Sequence, residues 1–395
     1  MANNFEFYAP TKVIFGKGAE CETGKQLKEF GASSVLIVYG GGSVKRSGLL
    51  EKVEDVLRDE QIMFCELGGV VPNPHLDKVY EGIRIGRSEN VDFLLAVGGG
   101  SVIDTAKAIA YGLAEPEKDV WELFAHTRMA EKCIPVASVL SIAAAGSETS
   151  KGCVITNERT GEKRAYDDNL ARPKFAIMNP EYTKSLPDYQ TESGCADIMM
   201  HTMERYFTNG GNMEITDAIA EGLLRTVMKN AVVVHHKPGD DNARAEIMWA
   251  GSIAHNDLTG CGNDGGDFMT HKLEHELGGM FDVTHGAGLA ALWPSWARYV
   301  YRECLPRFVR YARNVMGITM EGTDEEIAEA GIYAMEDFYH SIGMPTNLKE
   351  LGIHPTSAQI EDMAKRCIIA SGTQTGSAKK LTQEDAVRIY TNALG

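Results

Sequence analysis

The chain has 395 residues, 44% of them hydrophobic and 24% charged, with a formal net charge of −16. That length exceeds one comfortable core and points to two domains at roughly 100–200 residues each. The negative charge disfavours nucleic acid and anionic membrane as partners, because like charges repel.

The N-terminal stretch MANNFEFYAPTKVIFG has no basic start followed by an apolar run, so no signal peptide is expected. The longest apolar stretch, Cys133 to Ala145, is broken by Pro135, Ser138 and Ser141. It falls short of the ~18 uninterrupted apolar residues of a membrane span, and a cytoplasmic protein is the expectation. The eight cysteines contain no CxxC pair, unlike a zinc finger or a short disulfide framework, and are expected to be reduced and mostly buried.

Along the first ~180 residues, short apolar runs alternate with helical patterns. Ser34–Tyr39, Asp92–Val97, Val136–Ile142 and Phe175–Met178 are expected strands, rich in Val, Ile and Leu. Leu49–Glu60 and Leu76–Ser88 carry apolar residues at three- and four-residue steps and are expected helices. This alternation predicts an α/β, Rossmann-like parallel sheet covered by helices. After Pro187 the strand pattern stops, and Thr191–Phe207, Glu214–His235, Ala243–Asp257, Leu289–Gly317 and Asp324–Gly343 are expected helices. The expected division is an α/β domain over 1–185, which the glycine runs below make the candidate dinucleotide-binding half, and an all-α domain over 186–395, which the histidines below make the candidate metal-binding half.

The strand ending at Val97 runs into Gly98, Gly99, Gly100 and Ser101, and a helical pattern follows. Bare glycine backbone at a helix N-terminus suits a phosphate, through free N–H groups and the positive end of the helix dipole. A plain glycine turn accounts for these four residues equally well. The spacing is not GxGxxG with an acid ~20 residues later; Asp119 falls at that distance, but within a charged stretch. Upstream, the strand ending at Tyr39 opens into Gly40, Gly41, Gly42, Ser43, Val44, Lys45 and Arg46. A carboxylate there would repel a ribose 2′-phosphate, whereas a hydroxyl and two cations suit it, so NADP(H) is expected over NAD(H). A solvated basic loop is the plainer alternative.

In the helical half, Asp197 and His201 are four apart and share one helix face, and His271 and His275 repeat the spacing, with His285 beyond. Imidazoles and a carboxylate without thiolate suit Fe²⁺ or Zn²⁺ at a reactive site better than a structural zinc site. Taken singly, each of these histidines is more often structural.

Together these residues resemble the iron-containing alcohol dehydrogenase family, especially its NADPH-dependent butanol dehydrogenase and aldehyde reductase branch. The resemblance spans essentially the whole chain. Its carriers are Phe15-Gly16-Lys17-Gly18, Val71-Pro72-Asn73-Pro74, Gly98–Ser101 with Asp104 and Lys107, Ala145-Gly146-Ser147-Glu148, Asp197-x3-His201 and His271-x3-His275-x9-His285. It implies a dehydroquinate-synthase-like fold, and Asp197, His201, His271 and His285 as ligands of one divalent metal. It implies a catalytic His275 near the nicotinamide, acting as a proton relay or only orienting water. Cofactor contacts are implied at Gly40, Gly41, Gly42, Ser43, Asn73, Gly98, Gly99, Gly100, Ser101, Asp104, Ser141 and Lys163. One departure is visible: much of the family reads roughly PTTAGTGSE where this chain has Ser141-Ile142-Ala143-Ala144-Ala145-Gly146-Ser147-Glu148, without those threonines.

The expected activity is hydride transfer between NADP(H) and a short- to medium-chain primary alcohol or aldehyde, such as butanal, in a homodimer. Alternatives within the fold are a polyol or glycerol dehydrogenase and a dehydroquinate-synthase-like lyase. From another class, His271-Lys272-Leu273-Glu274-His275 matches the H-x-x-E-H pattern of a metallopeptidase, which would leave Asp197 and His201 idle.

Overall fold

Strands whose side chains are apolar on both faces must be covered on both faces, and that is how the first half of the chain folds. In the computed structural model, which describes residues 2–369 and 374–395, eight strands form: β1 (Lys12–Phe15), β2 (Ser34–Gly40), β3 (Met63–Val70), β4 (Phe93–Gly98), β5 (Val136–Leu140), β6 (Gly152–Asn157), β7 (Glu162–Asp167) and β8 (Phe175–Met178). Six make a parallel sheet in the order β1-β8-β5-β4-β2-β3, and β6 and β7 pair as an antiparallel ribbon. Val35, Leu36, Ile37 and Val38 of β2 and Leu94, Leu95, Ala96 and Val97 of β4 are wholly buried. The helix Leu49–Asp59 covers part of the sheet by turning Leu49, Leu50, Val53 and Leu57 inward.

The strand order places a topological switch between β2 and β4. From β2 the chain moves outward to β3, and from β4 it moves the other way, to β5. The segments leaving the carboxyl ends of these neighbours diverge, and such crevices take ligands in open α/β sheets. Tyr39 pairs with Val97, so the glycine runs at Gly40 and Gly98 leave the sheet side by side.

The second half is helical. Asp188–Tyr206, Glu214–His236 and Asp241–His255 pack on one another, followed by Met269–Phe281 and His285–Val300. By contacts the chain divides into Ala9–Leu186 and a unit running from Pro187 to Gly395 that also takes up residues 2–8. This corrects the expectation that residues before Ala9 belong with the sheet. Asn3 donates its N–H to the Gly262 carbonyl (2.9 Å) and its side-chain amide to the Gly210 carbonyl (3.0 Å).

The expected helix Leu289–Gly317 is two helices, His285–Val300 and Leu305–Asn314. Pro306 stands in the first turn of the second, where its missing N–H is tolerated, and so marks a start rather than an interior. Pro294, by contrast, lies inside the first helix. The expected strand at Val136–Ile142 stops at Leu140. All eight cysteines are free; Cys153, Cys195, Cys304 and Cys367 are buried and Cys21 is exposed. No helix among the described residues is long and apolar enough to cross a membrane.

Candidate active site

The helix Asp188–Tyr206 is buried over most of its length, which leaves its polar groups no solvent and makes each answerable to a partner. Asp197 and His201 stand one turn apart on it, and His271 enters from the first turn of Met269–Phe281. Ligand atoms of Asp197, His201 and His271 lie within 4.8 Å of one another. The His201 Nδ1 is 3.1 Å from Asp197 Oδ1, and His271 Nε2 is 3.7 Å from it. His285, the first residue of its helix, brings its Nε2 to 3.9 Å from the same oxygen.

The electrostatics follow from burial. Desolvation pushes the Asp197 carboxyl up, but the imidazoles of His201 and His285 outweigh it and hold the group well below the usual carboxylate range. Burial drives His201 down to about 4, against the attraction of Asp197. His271 is likewise desolvated, yet the Glu204 and Asp197 carboxylates raise it to about 9. Asp197 Oδ1 and His271 Nε2 are buried without a hydrogen-bond partner among the described residues. Two such atoms facing each other, an anionic oxygen and an imidazole nitrogen, fit a divalent cation of the Fe²⁺ or Zn²⁺ kind.

Three further residues belong to this site that the spacing argument does not reach. Glu204 hydrogen-bonds the Nδ1 of His271, and Glu274 that of His285. His255 sets its ring edge-on to His201, with centroids 4.0 Å apart. Glu204 was nonetheless legible: with Asp197 and His201 it completes an i, i+4, i+7 stripe on one helix face. His275, at ring distances of 6.2 Å from His271 and 5.8 Å from His285, lies beside the cluster. His271 groups with Asp197 and His201, while His275 groups with Glu274 and His285. The H-x-x-E-H run is therefore divided between two clusters.

In the sheet unit, the glycines at the switch are there for space. A Cβ on Gly98 would stand 2.6 Å from a Val102 methyl, and one on Gly100 3.1 Å from the Ala145 Cβ. The helix Gly100–Ala114 starts in this turn. Ser141 donates its N–H to the Gly98 carbonyl (3.0 Å), laying the Ser141–Glu148 segment along the loop. Ile142, in the stretch where the family's threonines are missing, packs where a Gly99 Cβ would be, at 3.0 Å. Asp104 accepts from Ser147 Oγ (2.6 Å) and the Val154 N–H (2.9 Å). Lys107 is wholly buried and donates to the carbonyls of Ser147, Ser150 and Gly152 at 2.7–3.0 Å. Asn73 holds a left-handed turn (φ 52°), and Lys163 is buried on β7.

At the other loop, Gly42 has φ 126°, a value that favours glycine, and Ser43 opens a short helical turn with Lys45 and Arg46. Lys45 sits over the Tyr39 ring, 4.7 Å from its centroid.

A histidine–carboxylate cluster on buried helices and a glycine crevice at a sheet switch point define a metal-dependent nicotinamide oxidoreductase. The model of the iron-containing alcohol dehydrogenases matches residues 10–180, and that of the Fe-containing alcohol dehydrogenase C-terminal region matches 191–394. The chain is 41% identical to NADH-dependent butanol dehydrogenase A of Clostridium acetobutylicum, with 98% of each chain covered. It is 36% identical to an NADPH-dependent aldehyde reductase of Escherichia coli, covering 98% of this chain and 99% of that one. The solved structure of NADH-dependent butanol dehydrogenase A from Thermotoga maritima superposes with a TM-score of 0.95 at 38% identity, covering 100% of this chain and 99% of that one. The chain belongs to the iron-containing alcohol dehydrogenase family, and its chemistry is alcohol–aldehyde oxidoreduction with a nicotinamide cofactor and a divalent metal.

Proposed function

We propose that the chain reduces short- to medium-chain aldehydes such as butanal at the expense of NADP(H), with one Fe²⁺ or Zn²⁺ ion held by Asp197, His201, His271 and His285. The observation that carries this reading is the buried, unpartnered pair of Asp197 Oδ1 and His271 Nε2 at the point where the four side chains converge. When bound, the ion acts as a Lewis acid on the carbonyl oxygen and the nicotinamide supplies the hydride. Residues 187–395 are the metal-binding unit and Ala9–Leu186 the dinucleotide-binding unit.

Gly98–Ser101 would hold the cofactor's diphosphate, since the helix Gly100–Ala114 offers its first N–H groups and positive dipole end there. Asn73, Ser141 and Lys163 would contact the same cofactor. Asp104, whose two oxygens both take protein donors, braces the loop instead. His275 carries the proton that the product alcohol requires.

NADP(H) is favoured by the Gly40–Ser43 turn, which carries no carboxylate and leads into two cations. The relatives' names divide on this point, NADH for the butanol dehydrogenases and NADPH for the aldehyde reductase. The family resemblance alone carries the expectation of a homodimer, which light scattering tests. The deciding experiment strips the protein with a chelator, restores Fe²⁺ or Zn²⁺ separately, and follows NADPH and NADH oxidation with butanal. Metal-dependent oxidation with a lower KM for NADPH is expected. Equal or better use of NADH would overturn the 2′-phosphate argument, and no oxidation by ion-loaded protein would overturn the substrate class.

A further inference from the structure

Two carboxylates outside the proposed ligand set frame the ion site. Glu204 and Glu274 are wholly buried, on two different helices of the unit. Glu204 uses one oxygen for the backbone N–H of His271 (3.1 Å) and the other for the Nδ1 of the same residue. It thereby satisfies one of the donors orphaned at the start of Met269–Phe281, where the helix dipole also favours an anion. Glu274, one turn after His271, reaches the Nδ1 of His285 at the start of the next helix. Its side chain packs closely on Gly288: a Cβ there would lie 3.0 Å from Glu274 Cγ.

A carboxylate accepts hydrogen bonds and gives none, so the Nδ1 of each imidazole must carry the proton. In the neutral ring that binds an ion, the lone pair then stands on Nε2, the atom each ring turns towards Asp197. His201 is held differently, its Nδ1 lying 3.1 Å from both the main-chain carbonyl and the Oδ1 of Asp197. Two of the three imidazoles are therefore backed by glutamates outside the proposed ligand set, and His201 only by Asp197 itself. Histidines backed by carboxylates are fixed in orientation and are more basic donors to a metal.

We propose that Glu204 and Glu274 are positioning residues that lock His271 and His285 into the Nδ1-protonated tautomer and set how tightly the ion is held. This rests on the ligand assignment given above. Replacing either by glutamine keeps the volume but removes the charge, and lets an amide N–H face the Nδ1 and favour the wrong tautomer. Each of Glu204→Gln and Glu274→Gln is expected to weaken Zn²⁺ binding by about 10- to 100-fold. The readout is competition with a chromophoric chelator in the full chain, repeated with Co²⁺ so that the visible d–d bands report the ligand field.

Glu20→Gln, a buried glutamate of the sheet unit, serves as the control and should bind Zn²⁺ like the parent. A purely structural role for Glu204 and Glu274 would lower the melting temperature of the ion-free protein and leave both the Zn²⁺ affinity and the Co²⁺ spectrum unchanged. That outcome overturns the proposal. If one of the two variants does not fold, the other is an independent test on a different ligand. His271→Ala separates the two levels of the argument. Loss of the ion in His271→Ala with parent-like affinity in both glutamine variants defeats only the positioning role, whereas parent-like affinity in His271→Ala defeats the ligand set.

Discussion

His275 is one helical turn from His271 on the same face, yet the two rings meet nearly perpendicular, at 84° and 6.2 Å. Ligand spacing alone does not separate an imidazole that binds an ion from one that moves a proton beside it. His271 groups with Asp197 and His201, and His275 with Glu274 and His285; either group could hold an ion, and the proposed ligand set is the first, with His285. His275→Gln is therefore expected to retain its full complement of metal by elemental analysis. Its kcat should fall by about 10²-fold, the lower end of what positioned proton transfer contributes. Loss of metal in that variant would make His275 a ligand after all. The difference between the two histidines was not legible in the sequence, because both sit at i, i+4 in one motif. Glu274 was hidden for a related reason, and Glu204 showed only as the third member of the 197, 201, 204 stripe. Glutamate in a helical pattern is most often a solvated charge, and only burial turns it into a partner that each histidine must satisfy.

The helix Gly100–Ala114 shows what an element can be asked to hold. Lys107, pointing inward from it, is the one donor common to the carbonyls of Ser147, Ser150 and Gly152, while Asp104 takes Ser147 Oγ and the Val154 N–H. Together they fix the segment that lies against the glycine turn. Lys107→Met would strand those buried carbonyls and leave Asp104 without its nearby cation. A loss of about 1–3 kcal/mol is expected in denaturant unfolding, as for leaving buried acceptors unsatisfied. The loosened segment should raise the KM for the nicotinamide cofactor more than it lowers kcat. Glu20 does similar work near the sheet edge, accepting from Lys52, Asn179 Nδ2 (3.0 Å) and Tyr182 OH (3.0 Å). Burial pushes its carboxyl up, but Lys52, the local backbone, Asn179 and Tyr182 outweigh this and hold it below its ordinary value. A carboxyl depressed in the folded state stabilises above its unfolded value of about 4.3, and that contribution is lost as pH falls through the folded value. Glu20→Gln should thus cost about 1–3 kcal/mol at pH 7, with the difference from the parent shrinking in urea titrations carried below pH 4. A difference that did not change with pH would mean shape, not charge, is what matters there. The elements read best from sequence were the unbroken apolar runs β2 and β4 and the amphipathic helix Leu49–Asp59. The edge strand β3 went unread because Glu66, Gly68 and Gly69 interrupt its apolar pattern, β6 because its apolar run Cys153–Ile155 is short, and β7 because polar residues dominate it. Two closing helices, Ser357–Ile369 and Gln383–Asn392, were also missed.

At the scale of the whole molecule, length and the change of period near residue 185 announced a sheet half and a helical half. Net charge and composition carried no trace of either site. The glycine crevice became decisive only through strand order, because a switch point is a property of topology and GGGS occurs in many turns. Each half keeps its own chemistry: the proposed ligands and their glutamates in 197–204 and 271–285, and the glycine turns in 40–46, which is largely exposed, and 98–107. This gives a prediction that treats the chain as two ligand-responsive bodies. Anything that binds only the folded state adds RT ln(1 + [L]/Kd), about 2.7 kcal/mol at a hundredfold excess over Kd. Backbone amides exchange through openings whose free energy the ligand raises only where its site must open. Hydrogen exchange followed by mass spectrometry should therefore show chelation speeding exchange in peptides covering 195–206 and 269–290 while leaving 34–46 and 93–107 as they were. NADPH added to the chelated protein should slow exchange in 34–46 and 93–107 and leave the helical peptides fast. Were chelation to deprotect β2 and β4 to the same degree as the helices, the halves would open as one cooperative unit. The ion would then be a global staple and not a local one.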